Sequence, residues 1–187
     1  MKRLFVAIPI PNPVKQRLVG LSGGVPGARW QTSEQMHLTV RFIGEVDGAV
    51  GADIHSALSV IKAVPFPAEL SGVGTFGPKG RERVLWAGVA KSEALGQLRD
   101  RIETALVRAG LPPDRRKFHP HVTLARLIGA PKGKLFDFAA AKGSFQSAPF
   151  HVDGFALYSS FLSHKGAVYT LEARYPLESV TAQDSID

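Results

Sequence analysis

The sequence predicts an α+β protein built mainly on antiparallel sheet. Strand-like and helix-like stretches alternate irregularly, and several strands are joined by short turns in the manner of hairpins. A further observation is a triplet that occurs once in each half: His37-Leu38-Thr39 and His121-Val122-Thr123. Each lies in a strand-like run, which points to two related lobes.

Leu4 to Ile10 forms the first apolar run, broken by Pro11-Asn12-Pro13. Residues 14–21 (VKQRLVGL) have helical spacing and stop at Gly23-Gly24. Residues 28–31 (ARWQ) and 36–44 (MHLTVRFIG) are strand-like. In the second, alternation puts Leu38, Val40 and Phe42 on one side and His37, Thr39 and Arg41 on the other. Asp47 to Ala63 is a predicted helix, with Asp47 as cap and a stripe through Val50, Ile54, Ala57, Leu58 and Ile61. Two strands, 66–77 and 83–89, flank the turn PKGRE. Ser92 to Ala109 is the clearest helix, capped by Ser92 and ended by Gly110, Pro112 and Pro113. Residues 119–127 (HPHVTLARL) return to a strand, Leu135 to Ala141 is weakly helical, and two strands, 150–160 and 167–177, flank SHKG. The expected unit is a single bilobal domain over 1–177, with a polar, frayed tail at 178–187.

At 187 residues the chain has room for one domain and a substantial core. Lys plus Arg outnumber Asp plus Glu by 23 to 16, a formal charge of +7 that favours polyanions such as RNA or nucleotides. There is no cysteine, which excludes disulfide scaffolds, thiolate nucleophiles and Cys-ligated zinc. A reducing cytoplasm and a monomeric state are the expectations. The opening MKRLFVAIPIPNP is too short and proline-broken for a signal peptide, and no apolar run has transmembrane length.

Three motif matches lack their required setting. Gly20-Leu21-Ser22-Gly23-Gly24 fits G-x-S-x-G, but a helix precedes it where the nucleophile elbow needs a strand. Gly72 to Gly77 fits G-x-G-x-x-G, but leads into a strand where the dinucleotide fingerprint needs a helix, so a hairpin turn is the better account. His119 and His121 have no third ligand at metal-binding spacing, so no metal is expected. His119 itself is given no role beyond the rim of a site.

The H-x-T pair is different. Side chains at i and i+2 of a strand share a face, so each triplet presents an imidazole beside a hydroxyl. One such triplet is most simply a solvated strand residue. Two, each framed by apolar residues of opposite parity, are improbable by chance in a chain with six histidines. Phosphodiester displacement is in-line, so one group activates the nucleophile while another protonates the leaving oxygen on the far side. Histidine suits both roles. Two threonine hydroxyls can donate to the non-bridging oxygens. A strained cyclic phosphate needs no metal, and no cofactor is expected.

With these motifs the sequence resembles the two-histidine phosphoesterase superfamily, most closely its RNA 2′,3′-cyclic phosphodiesterase branch, the LigT/ThpR-type proteins also called 2′-5′ RNA ligases. The resemblance is carried by RLFVAIPIP, RWQTSEQMHLTVRFIGEV, GVGTFGPKGRERVLWAGV, FHPHVTLAR and LYSSFLSHKGAVYTLEARYPL, nearly the whole chain to Leu177. It implies two pseudo-symmetric lobes of antiparallel sheet with outer helices and a central cleft. It further implies His37 as general acid and His121 as general base, with Thr39 and Thr123 beside them. Arg126 matches a family arginine that meets the substrate's phosphate or sugar. Strict alternation puts Arg126 on the face opposite His121, so that contact requires the strand to bend. Arg41 shares the alternation face of His37 and is expected as a second anion contact. The basic clusters Arg115 to Lys117 and Lys132 to Lys134 have two readings, a guide for RNA into the cleft and a solvated loop, and the solvated loop is the expectation for each.

The implied activity is metal-independent opening of RNA 2′,3′-cyclic phosphate ends to a 2′-phosphate, with reversible 2′-5′ ligation. The alternatives are a cyclic phosphodiesterase acting on small nucleotides such as an ADP-ribose cyclic phosphate, a non-catalytic RNA-binding module, and a metal-dependent phosphodiesterase.

Overall fold

Strands and helices follow one another in the structure, a computed structural model that describes residues 1–164 and 166–178, in this order: β1 (Lys2–Pro9), α1 (Asn12–Val19), β2 (Ala28–Trp30), a 3₁₀ turn (Ser33–Gln35), β3 (His37–Val46), α2 (Gly48–Ser59), β4 (Phe66–Ala68), β5 (Leu70–Phe76), β6 (Val84–Val89), α3 (Glu93–Arg108), β7 (His121–Leu127), α4 (Lys132–Lys142), β8 (Phe150–Val152), β9 (Gly154–Ser163) and β10 (Gly166–Pro176). The predicted caps form: Asp47 accepts from the Val50 N–H at 2.9 Å and Ser92 from the Leu95 N–H at 3.2 Å. Pro13 sits in the first turn of α1, where its missing N–H costs nothing. The glycine-rich stretch after α1 is a helix stop, with Gly23 and Gly24 at positive φ. Helix α4 begins three residues before the predicted Leu135, behind Pro131. Of the expected tail, Glu178 is exposed and residues 179–187 lie outside the described residues.

The fold is α+β, and the named strands pair antiparallel. Seven of them run β10-β9-β1-β3-β7-β6-β5, with β2 added to β7; β4 and β8 form a separate ribbon. The two halves of the large sheet meet at its centre through one register pair, Leu38 with Val122. Beyond that pair β7 leaves β3 and takes β2 instead. The sheet therefore splays on either side of a narrow waist, which opens a cleft on one face. The other face is apolar. Leu38, Val40, Val122 and Leu124 join Leu18, Ile54, Leu58, Leu98 and Ile102 in one core cluster drawn from both halves. Among the described residues no helix is long and apolar enough to cross a membrane.

Both motif strands break alternation at the same place. Along β3 the partners of Ala7 and Val6 are Thr39 and Arg41, so Val40 is an extra residue. Along β7 the partners of Trp86 and Leu85 are Thr123 and Ala125, so Leu124 is extra. Such a bulge reverses which residues reach which face. In β7 it delivers Arg126 to the face of His121. In β3 it delivers Phe42 and turns Arg41 away, which overturns the expected anion contact by Arg41. That guanidinium is 8 % exposed on the helix side. It donates to Glu103 of α3 at 2.6 Å, to the Pro112 carbonyl at 2.7 Å and to the Phe42 carbonyl. Glu103 also accepts from the Asp114 N–H at 2.7 Å, so Arg41 ties β3 to the segment leading into the second motif.

Removing Arg41 leaves Glu103 without its buried partner. Arg41→Ala should therefore cost about 3 kcal/mol of stability, seen as a lower urea midpoint at unchanged slope.

Candidate active site

The pairing of Leu38 with Val122 decides the geometry of the site. One step either way along antiparallel strands brings His37 beside Thr123 and Thr39 beside His121, all on the face opposite the buried Leu38 and Val122. The four side chains line one open cleft of about 1040 Å³, together with Arg126. The structure thus brings together five of the six predicted site residues and leaves Arg41 behind. Among the described residues the Thr39 and Thr123 hydroxyls engage no partner, which leaves them free to donate to a bound anion.

Each histidine is oriented from behind by a carbonyl two residues upstream. His121 Nδ1 lies 2.7 Å from the His119 carbonyl oxygen, and His37 is hydrogen-bonded to the backbone of Gln35. A carbonyl only accepts, so His121 Nδ1 carries the proton and its Nε2 is the atom left for acid–base work. The same bond commits His121 Nδ1 and removes it from metal binding. Among the described residues no three His, Asp or Glu side chains gather as a metal site.

Aromatic walls enclose both rings, and these the sequence reading missed. Phe5, Tyr169 and Tyr158 surround His37 at ring-centroid distances of 4.8, 4.9 and 6.3 Å. Phe76 and Trp86 stand 4.8 and 6.2 Å from His121. His119 packs on the same two rings, so it forms part of the wall behind His121. A Cβ at Gly74 would strike the Trp86 ring, which explains the central glycine of the G-x-G-x-x-G match without any nucleotide. The aromatic at Phe76, two residues from that glycine and diagonally in contact with Trp86 at 5.1 Å, was the available signal.

Burial has an electrostatic consequence. It pulls His37 down to about 4 from imidazole's ordinary 6.5, against its hydrogen bond to Gln35 and with help from Lys15, His121 and Arg126. His121 is lowered as well, first by burial and then by the charges of His119 and Arg126, against its bond to the His119 carbonyl. Every charged neighbour acting on either imidazole is cationic. Burial and these cations therefore favour the neutral form of both rings, and the cleft favours an anion.

Against known proteins, the model of the 2′-5′ RNA ligase superfamily matches residues 26–160. The chain belongs to this superfamily. It is 37 % identical over 148 residues to the RNA 2′,3′-cyclic phosphodiesterase of Aeropyrum pernix, spanning 78 % of this chain and 84 % of that relative. Among solved structures it is similar to E. coli LigT in complex with 3′-AMP, at 25 % identity and a TM-score of 0.77 over 95 % of this chain and 99 % of that one. TT0787 of Thermus thermophilus gives 29 % identity and a TM-score of 0.76 over 94 % and 97 %. The superfamily membership covers both H-x-T strands, since His37 and His121 fall within the matched residues.

The depressed imidazole makes stability depend on pH. Unfolded, His37 takes up a proton near pH 6.5; folded, only near 4. Between those values the unfolded chain binds more protons, so this contribution is complete above about pH 6.5 and is lost as pH falls toward 4. Urea unfolding at pH 4 and pH 7 should show a drop that is smaller in His37→Gln, by on the order of 3 kcal/mol at most.

Proposed function

We propose that this chain hydrolyses RNA 2′,3′-cyclic phosphate ends to a 2′-phosphate without a metal, with His37 as general acid and His121 as general base. The observation that carries the reading is the antiparallel pairing of the two H-x-T strands, which sets an imidazole and a hydroxyl on each side of one cationic cleft. In the step, His121 Nε2 takes a proton from water as its oxygen attacks phosphorus. The bond from phosphorus to the 3′ oxygen breaks in line, and His37 Nε2–H protonates that oxygen. Thr39 and Thr123 donate to the non-bridging oxygens, and Arg126 adds positive charge as the oxygens become more negative. The diester anion supplies the counter-charge that lets His37 hold its second proton despite burial. With a 5′-hydroxyl in place of water as nucleophile, the same groups carry out 2′-5′ ligation, and in the reverse direction the two histidines exchange roles.

One observation favours the opposite order of roles. Burial pulls His37 down to about 4 and so keeps its ring neutral, which suits a base. A cyclic substrate with sulfur at the 3′ position separates the two orders, because a thiolate leaves without protonation. Rescue of His37→Ala by that substrate makes His37 the acid; rescue of His121→Ala reverses the assignment.

Replacing either histidine by alanine should lower turnover of a cyclic-phosphate-ended oligonucleotide by about 10²- to 10⁴-fold, in EDTA as in its absence, with the protein still folded by circular dichroism. Near-normal hydrolysis by either variant would refute the mechanism, and loss in chelator would favour the metal-dependent alternative. kcat/KM reports the free protein, in which both imidazoles lie below 6.5. Its bell should peak on the acid side of pH 6.5, and the kcat bell, measured with the anion bound, should lie to the alkaline side of it.

A further inference from the structure

Arg29 on β2 and Arg126 on β7 are direct cross-strand partners. The bonds from Gln31 N–H to the Leu124 carbonyl and from Ile128 N–H to the Gly27 carbonyl, each 2.8 Å, bracket the pair and lock its register. Directly opposed residues project to the same face, and both arginines line the cleft. Like charges in this position destabilise a sheet. The described ion pairs join Lys2, Arg41, Arg99, Arg116 and Lys134 to carboxylates. Arg29 and Arg126 are in none of them. Two guanidiniums opposed across one ladder rung, exposed and without a countercharge among the described residues, form a site that an anion completes.

That anion is not the reacting phosphate. The four H-x-T side chains already surround the reacting position, and Arg126, past the Leu124 bulge, lies two ladder rungs beyond Thr123, about 7 Å along the sheet. Arg126 is the nearer arginine, its charge being felt at both catalytic imidazoles, whereas Arg29 is not among the charges acting on either. On the opposite wall Phe42, 51 % exposed, offers a base a flat apolar face. Cations that track a backbone, combined with an aromatic surface, are the pattern of single-stranded nucleic acid binding.

We propose that Arg29, acting with Arg126, binds the phosphodiester that precedes the terminal nucleotide, so that the cleft selects the end of an RNA chain over a free nucleoside cyclic phosphate. The forked donors of a guanidinium match two phosphate oxygens at once. A mononucleotide has no such phosphate and leaves the arginine pair empty. The inference rests on the cyclic-phosphate reading of the cleft and adds to it a residue and a substrate length.

The test compares the unaltered chain with Arg29→Gln and Arg29→Lys on two substrates, a short oligonucleotide ending in a 2′,3′-cyclic phosphate and the corresponding nucleoside 2′,3′-cyclic phosphate. Arg29→Gln should lower the ratio of kcat/KM values, oligonucleotide over mononucleotide, by about tenfold through the oligonucleotide's KM. Arg29→Lys should retain part of it. The salt dependence of oligonucleotide kcat/KM should become shallower by about 0.7 in log–log slope. Melting of Arg29→Gln should occur at or above the temperature of the unaltered chain, since a repulsion has been removed. An unchanged ratio, or an equal loss on both substrates, overturns the assignment. If the unaltered chain turns over neither substrate, it is the cyclic-phosphate reading that fails.

Discussion

The register pair of Leu38 with Val122 is the constraint on which the site depends. Both residues are fully buried, and both are the middle of an H-x-T triplet. Burying them on one face obliges the flanking histidines and threonines to emerge on the other. Because the strands run antiparallel, each histidine comes to lie beside the threonine of the other strand. A slip of one residue would send both polar pairs into the core. The placement of the four polar side chains is thus held by apolar packing, which tolerates no partial register.

The paired bulges are the second constraint. Each follows its threonine by one residue, so the two motif strands share a geometry longer than the triplet, but the residues that this geometry delivers differ. One half brings an aromatic ring, Phe42, to the cleft and the other brings a cation, Arg126. The cleft is symmetric at its four H-x-T side chains and asymmetric at its walls, with a charged side and a flat apolar side. Arg41, displaced from the cleft by the same device, becomes a buried tie between β3, α3 and the segment that delivers His121.

Enclosure of the imidazoles has opposing effects. The aromatic walls bury the rings, and that burial lowers the proton affinity of both histidines. An anionic diester reverses this by supplying a counter-charge within a low-dielectric pocket, where it acts more strongly than in water. Protonation of the site is thereby coupled to occupancy.

Much of the site was legible in the sequence because strand alternation is a short-range rule. The i and i+2 spacing of His37 with Thr39 and of His121 with Thr123 needs only a local extended backbone, and the duplication marked both as one site. The helix caps at Asp47 and Ser92 were legible for the same reason. Alternation misplaced Arg41 and left Arg126 on the wrong face, because a bulge is chosen by the pairing of two strands and leaves no mark in either one alone. The aromatic walls and the opposition of Arg29 to Arg126 were hidden likewise, since they join residues of β1, β5, β6, β9 and β10, or of β2 and β7, that are distant in the chain. The sequence by itself determined which chemical groups are present and which neighbours share a face. Only the tertiary structure decided which faces meet, because that depends on the register in which the apolar middles of two strands are buried together.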